Sequence, residues 1–379
     1  MNKIRKSIVL FLALVLLFSL TACNTKSKQP NERKEETEQA IEAKEKTEQS
    51  IETIEGTDQT TIQVLDSANR TVEVPCPAES IVVLWNNPTE IIRALGAIDR
   101  IVGIDTATQS DMELGYYPEL KDVTVVGSSE DPNYEMIAKL DPDVVIMLSS
   151  YPPLPDEVQK QLDAYNIPVV ALDFYRTEVF EREVTILGTI LGLEDKAAEL
   201  MTFLNDSMAQ VDEAMKDIAE EDRKSVYFEA AADYRTYGGA GYGCGIPGMV
   251  RAAYCIDLYP EISAEVFDVN PEDIAMRNPD VIIKGQNGGY FLKESDYEEV
   301  YNALISRPEL SNTTAVLNNE VYILSFDVSG GARKVFGPMY MAKILYPDYL
   351  ANFDPDAVLK EYLETYLGRE WQGVYVYSK

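Results

Sequence analysis

Apolar and polar residues alternate in three different ways along the 379-residue chain. The first regime is a single apolar run from Ile8 to Leu20, behind a basic tip of Lys3, Arg5 and Lys6 and ahead of Leu20-Thr21-Ala22-Cys23. That order is the layout of a secretory signal. The run is shorter than the ~20 residues needed to span a bilayer, and small residues precede the cysteine, where a signal peptidase must fit the chain. The second regime, from Asn24 to about Thr60, is nearly all Glu, Lys, Gln, Thr and Ser, with no aromatic residue. Such a stretch buries too little surface to offset its ordering entropy. It is expected to be a disordered tether, with transient helix where Glu36 to Glu42 is echoed by Lys46 to Glu52.

The third regime fills the rest. Ile62-Gln63-Val64 and Thr71-Val72-Glu73-Val74 alternate around Asp66-Ser67-Ala68-Asn69, which predicts a hairpin. Short apolar runs then predict buried strands at Ile81 to Leu84, Ile101 to Ile104, Val123 to Val126, Val144 to Leu148 and Val169 to Leu172. Helical patterns fall between them at Glu90 to Leu95, Tyr134 to Leu140 and Glu157 to Tyr165. Glu178 to Leu191 and Glu194 to Ala219 predict two helices, the second with an apolar stripe of Ala198, Met201, Leu204, Met208 and Val211. A second series follows, with strands at Ser225 to Phe228, Val281 to Lys284 and Val321 to Leu324, and closing helices near Met339 to Leu345 and Asp354 to Leu367. Strand and helix in alternation imply mostly parallel sheets covered on both faces.

The two series share a phrase. Glu135 to Ile146 aligns without gaps on Glu272 to Ile283: a glutamate begins a short helix, a Pro-Asp turn ends it, and a buried strand follows. The plainer explanation for the glutamates is that a carboxylate suits a helix N-terminus.

The sequence as a whole resembles the class III, or helical-backbone, substrate-binding proteins of ferric-siderophore, haem and vitamin B12 uptake systems. The residues that carry the resemblance are the hairpin with Asp66, Arg70 and Val72-Glu73-Val74-Pro75, the strand Ser80 to Leu84, and the phrase Ile98-Asp99-Arg100-Ile101-Val102-Gly103-Ile104. Both Glu–Pro-Asp phrases, Tyr237 to Met249, and Phe353-Asp354-Pro355 to Gly368 complete it. The resemblance implies an α/β fold of two Rossmann-like lobes joined by a long rigid helix. Residues 1–23 would then be a lipoprotein signal, 24–60 a tether, 61–192 the first lobe, 193–221 the linking helix and 222–379 the second lobe. Leu20-Thr21-Ala22-Cys23 resembles a bacterial lipobox, which implies diacylation of Cys23 and anchoring to the outer face of the cytoplasmic membrane. The implied partners are an ABC permease dimer with its cytoplasmic ATPase, on which Glu135 and Glu272 would dock, and a metal chelate. No enzymatic activity and no cofactor are implied.

Composition narrows the choices. After signal and tether, about 320 residues remain, enough for two ordinary domains. The net charge of −31 resides mostly in this part and argues against nucleic acid as a partner. With no histidine, neither imidazole ligation of zinc or haem iron nor a Ser-His-Asp triad is possible. Beyond Cys23, the three cysteines Cys76, Cys244 and Cys255 are expected to be buried free thiols.

In doubly wound lobes, ligands lie beyond the carboxyl ends of the strands. The loops there carry Trp85-Asn86-Asn87, Ser149-Ser150-Tyr151 and Phe174-Tyr175-Arg176 in the first lobe. The second offers Tyr234-Arg235-Thr236-Tyr237, Tyr242, Gln286-Asn287 with Tyr290, and Asp327 with Arg333. Aromatic faces suit a flat chelate, and Arg176, Arg235 and Arg333 are expected at its anionic periphery. Of these residues, Trp85, Asn86, Ser150, Tyr151, Tyr175, Arg176, Arg235, Tyr237, Tyr242, Gln286, Asp327 and Arg333 are the candidate ligand contacts. Gly243-Cys244-Gly245-Ile246-Pro247-Gly248 fits the dinucleotide glycine pattern. It follows a glycine- and tyrosine-rich loop instead of a buried strand, which speaks against a dinucleotide. Two other readings stay open: an oxyanion-binding protein for molybdate or tungstate, and a surface lipoprotein that senses or adheres.

Overall fold

The computed structural model describes residues 51–54, 60–239 and 245–379. The expected signal, Cys23, Tyr242 and Cys244 lie outside them. The hairpin forms as read, β2 (Thr61–Leu65) pairing antiparallel with β3 (Thr71–Pro75). A further strand, β1 (Ile51–Ile54), pairs with β2, so ordered backbone begins inside the segment expected to be tether.

The first lobe is a five-stranded parallel sheet in the order β6 (Thr124–Val125), β5 (Ile101–Ile104), β4 (Ile81–Leu84), β7 (Val144–Met147), β8 (Val169–Ala171). Every residue of β4, β7 and β8 is buried, as expected of parallel strands covered on both faces. The order reverses direction between β4 and β7. That makes the crevice beyond their carboxyl ends the switch point where ligands bind in such sheets. The second lobe repeats the plan with β11 (Ile256–Asp257), β9 (Ser225–Glu229), β13 (Val281–Gln286), β14 (Val321–Ser325) and β15 (Val376–Tyr377), the last antiparallel.

The shared phrase folds into the same unit twice. In the first lobe it is α3 (Tyr134–Leu140), following α1 (Asn86–Ala94) and α2 (Thr106–Glu113). In the second it is α8 (Pro271–Arg277), after α4 (Pro155–Leu162), α5 (Phe180–Leu191), α6 (Glu194–Met215) and α7 (Ile246–Ala252). Asn133 and Asn270 cap the two N-termini, and Asp141 and Asn278 end the helices in the left-handed conformation. The Pro-Asp turn has a specific purpose. Asp143 accepts from the amide and hydroxyl of Ser80 at 2.9 and 3.0 Å, and Asp280 does so from Ser225 at 2.8 and 2.7 Å. Each aspartate thus fastens the start of its strand to the start of the neighbouring one.

The linking helix α6 is about 33 Å long at ~1.5 Å per residue. It ends at Met215, short of the expected residue 221, and buries Ala197, Leu200, Met201, Leu204, Ser207, Val211 and Met215. Ala198, expected on the stripe, is exposed, and Ala197 takes its place because its methyl group fits against Gly188 of α5. One continuous core cluster runs from Ile91 of the first lobe through Leu204 and Val211 to Met249 and Phe336 of the second. A shared core of this kind resists the lobes' separation, because opening them would expose close-packed apolar surface. Among the described residues no helix is long and apolar enough to cross a membrane.

Candidate functional site

The loops that follow β4, β7 and β8 assemble one surface. Trp85, directly after β4, stacks on Tyr151 with ring centroids 6.1 Å apart and planes within 4°. Ser150 and Tyr175 share a hydrogen bond of 2.9 Å between their hydroxyls. Two cations lie near the Tyr175 ring, the Arg176 guanidinium at 5.9 Å and the Lys334 ammonium at 5.2 Å from its centre. Burial raises the Tyr175 phenol well above its ordinary pKa, so it stays a neutral donor. A cavity of about 480 Å³ opens at the switch point, between Leu84 and Trp85 on one strand end and Met147 and Leu148 on the other, with Tyr151 at its wall.

A fully buried carboxylate holds this surface in place, and sequence reading missed it. Glu183 of α5 accepts hydrogen bonds from Ser67 Oγ and from the amides of Asp173 and Phe174, the last two at 3.1 and 2.6 Å. Phe174 is at φ 55, a region that costs a bulky residue about 1–3 kcal/mol. The Glu183 bonds therefore hold a strained turn immediately ahead of Tyr175 and Arg176. Asp173, also fully buried, accepts from the amide and hydroxyl of Ser149 at 2.6 and 2.7 Å and pairs with Arg176. Burial, and then the Asp173 charge, push Glu183 up to about 7. The only sequence signal was an acidic residue on the apolar side of a predicted helix.

The second lobe meets this surface at several points. Tyr151 donates to Glu265 across the cleft. Gly245 has a steric reason that involves no nucleotide. It sits at φ 82, and a Cβ there would strike the backbone carbonyl oxygen of Tyr175, so this glycine lets the lobes close on each other, whereas one at Gly248 would meet only the exposed Glu178 carboxylate, which can move aside.

Several expected ligand contacts are engaged elsewhere. Arg333 bonds Glu90 of α1 at 3.0 Å and Asp327 at 3.5 Å, and Asp327 also accepts from the Tyr116 hydroxyl at 2.8 Å and the Tyr290 amide at 2.7 Å. Tyr362 donates to Glu90 at 3.1 Å. Arg333 and Asp327 thus belong to a buried polar joint between the lobes. Arg235 lies on β10 (Arg235–Tyr237), exposed, and pairs at 2.9 Å with Asp268 of the antiparallel strand β12 (Val266–Asp268). Tyr237 packs edge-on against Phe228 at 6.1 Å, and the Asn86 amide donates to Asp111 at 2.7 Å. Gln286, half-buried, ends β13. All three arginines expected at an anionic periphery therefore already carry carboxylate partners. Two of the expected thiols are free: Cys76 is half-buried, and Cys255 is buried and pushed up to about 12 by desolvation. Glu135 and Glu272 are both exposed, each the second residue of its helix.

Known proteins share this fold. Residues 81–328 match the model of the periplasmic binding protein family. The ABC transporter substrate-binding lipoprotein YvrC of Bacillus subtilis is 26% identical over 291 residues, 76% of this chain and 86% of that one. The petrobactin-binding protein YclQ, also of Bacillus subtilis, is 24% identical over 336 residues, 86% of this chain and 94% of its own. The molybdate-binding protein MolA of Haemophilus influenzae is 25% identical over 333 residues, 80% of this chain and 90% of its own. The solved structure of MolA bound to molybdate superposes with a TM-score of 0.66 at 20% identity, covering 82% of this chain and 99% of that one. With two doubly wound lobes on a shared core and a family match that runs across both, the chain belongs to the periplasmic binding protein family and is a class III substrate-binding protein of ABC transporters.

Proposed function

We propose that the protein captures a metal chelate, of the siderophore, corrinoid or haem kind, between its lobes and delivers it to an ABC permease in the membrane. The observation that carries this reading is the Trp85–Tyr151 stack beside a cavity of about 480 Å³ at the switch point of the first lobe. Flat aromatic faces and apolar walls suit the organic periphery of a chelate. A bare cation has little to bind: the chain has no histidine, and no group of three or more Cys, Asp or Glu side chains is placed to hold an ion among the described residues. The likeness to YclQ supports the reading. The likeness to MolA favours a second one, an oxyanion such as molybdate, and the carboxylate partners of Arg176, Arg235 and Arg333 weigh against it. The test is to purify the protein from its native cells and measure the spectrum and mass of what accompanies it. A metal-bearing organic molecule is expected, and a bare ion or a free oxyanion in stoichiometric amount would overturn the proposal.

The same reading places the protein on the outer face of the cytoplasmic membrane, held by lipid on Cys23. Two acyl chains anchor stably where one binds marginally. Cys23→Ala is expected to move the protein from the membrane fraction to the soluble one or to leave the precursor uncleaved. Membrane retention with a processed N-terminus would refute the anchor.

A further inference from the structure

We propose that the ligand is a neutral or cationic chelate with an apolar arm, that this arm enters the first-lobe cavity beside Trp85, and that anionic chelates and free oxyanions are rejected by charge. The inference rests on the chelate reading above and narrows it. Leu84, Met147, Leu148 and the rings of Trp85 and Tyr151 give the cavity apolar walls. Among the described residues its charged lining consists of two exposed carboxylates, Glu130 and Glu157, with no lysine or arginine. Across the cleft the Tyr151 hydroxyl meets a third carboxylate, Glu265.

The cations nearby do not reverse this sign. Arg176 is paired with the fully buried Asp173, and Arg333 lies between Glu90 and Asp327, so an anionic ligand must compete with a carboxylate already in place. Arg235 faces Asp268 on an exposed ribbon. Lys334 is buried, with its ammonium over the Tyr175 ring and not along the cavity wall. A net charge of −31 adds a repulsive field over the whole surface. An arm that enters must therefore leave water for apolar walls and pass three carboxylates, which favours an uncharged or positive group and penalises an anion.

The test compares two ferric chelates of different charge and a free oxyanion on the detergent-solubilised full chain by calorimetry. A neutral ferric trihydroxamate, a trianionic ferric tris-catecholate and molybdate serve as probes. The neutral chelate is expected to bind at least tenfold more tightly than either anion. Tyr151→Ala is expected to weaken the neutral chelate about tenfold or more. The double change Glu130→Gln with Glu157→Gln is expected to strengthen the tris-catecholate at least tenfold. All three positions are exposed, so the fold survives the changes. Tighter binding of the tris-catecholate or of molybdate by the unmodified protein would overturn the inference, as would indifference of the neutral chelate to Tyr151→Ala. Binding of the tris-catecholate in preference leaves the chelate reading standing, whereas binding of molybdate alone removes both.

Discussion

Cells in which Glu135→Lys and Glu272→Lys are combined are expected to lose uptake of the ligand, while the purified double variant binds that ligand with the affinity of the parent. Each glutamate is exposed, is the second residue of a helix capped by asparagine, and lies at the equivalent point of its lobe. Neither lines the cavity. The plainer role, a carboxylate on a helix N-terminus, predicts a different result. Reversing such a charge loses about 0.3–1 kcal/mol of attraction per site and adds a repulsion of similar size, still too little to unfold the protein or disturb transport. Two placements so alike, one per lobe, fit a partner with two matching basic sites, as a permease dimer would present. Transport of labelled ligand and calorimetry on the purified protein separate the roles. Uptake that survives would leave the glutamates as helix-end charges, and a large loss of affinity would place them at the ligand instead.

The second large effect is on stability. Arg333→Met leaves Glu90 and Asp327 without their shared cation at a joint where the guanidinium side chain is only 12% exposed. Removing one partner of a buried ionic group costs about 3–5 kcal/mol, because the remaining charge stays buried and unpaired. Denaturant unfolding should show that loss, and the transition should broaden if the lobes come apart in separate steps, since Glu90 and Arg333 belong to different lobes. Asp327→Asn and Glu90→Gln are expected to cost less, as each retains an acceptor for the tyrosine hydroxyl it serves. A variant of unchanged stability and much weaker ligand binding would return Arg333 to the ligand surface, where its position after a strand end first suggested it.

The short strands β10, β11, β12 and β15 of the second lobe escaped sequence reading, whereas the five strands of the first lobe, the central strands β9, β13 and β14 of the second, the hairpin, the linking helix and the duplicated Glu–Pro-Asp unit were legible. They are local: a short apolar run between turn residues has few alternatives to a buried strand, and an asparagine cap or a left-handed Asp141 or Asn278 acts within one helical turn. The aromatic loops after β4, β7 and β8 could likewise be assigned to the binding side, because in a parallel sheet the side follows from chain direction alone. The Trp85–Tyr151 stack needed in addition the adjacency of β4 and β7, which strand alternation does not imply and which the crossover in the sheet decides.

The partners of charged groups are another matter, since they come from remote parts of the chain. Arg333 meets Glu90 from the opposite lobe, and Glu183 reaches back to Ser67 in the hairpin. No periodicity records such pairs, so arginines near strand ends could be placed at the ligand while their carboxylates went unseen. Gly245 shows the same limit: its pattern could be matched to a dinucleotide motif and set aside for want of a preceding strand, but only the approach of the Tyr175 backbone gives the steric reason for it. The sequence by itself determined the hairpin, the buried central strands of both lobes, the linking helix and which ends of those strands face the cleft, because these depend on neighbours within a few residues. The tertiary structure decided the charge of the site, because the net charge around a cavity is fixed by which distant side chains neutralise one another in the folded chain.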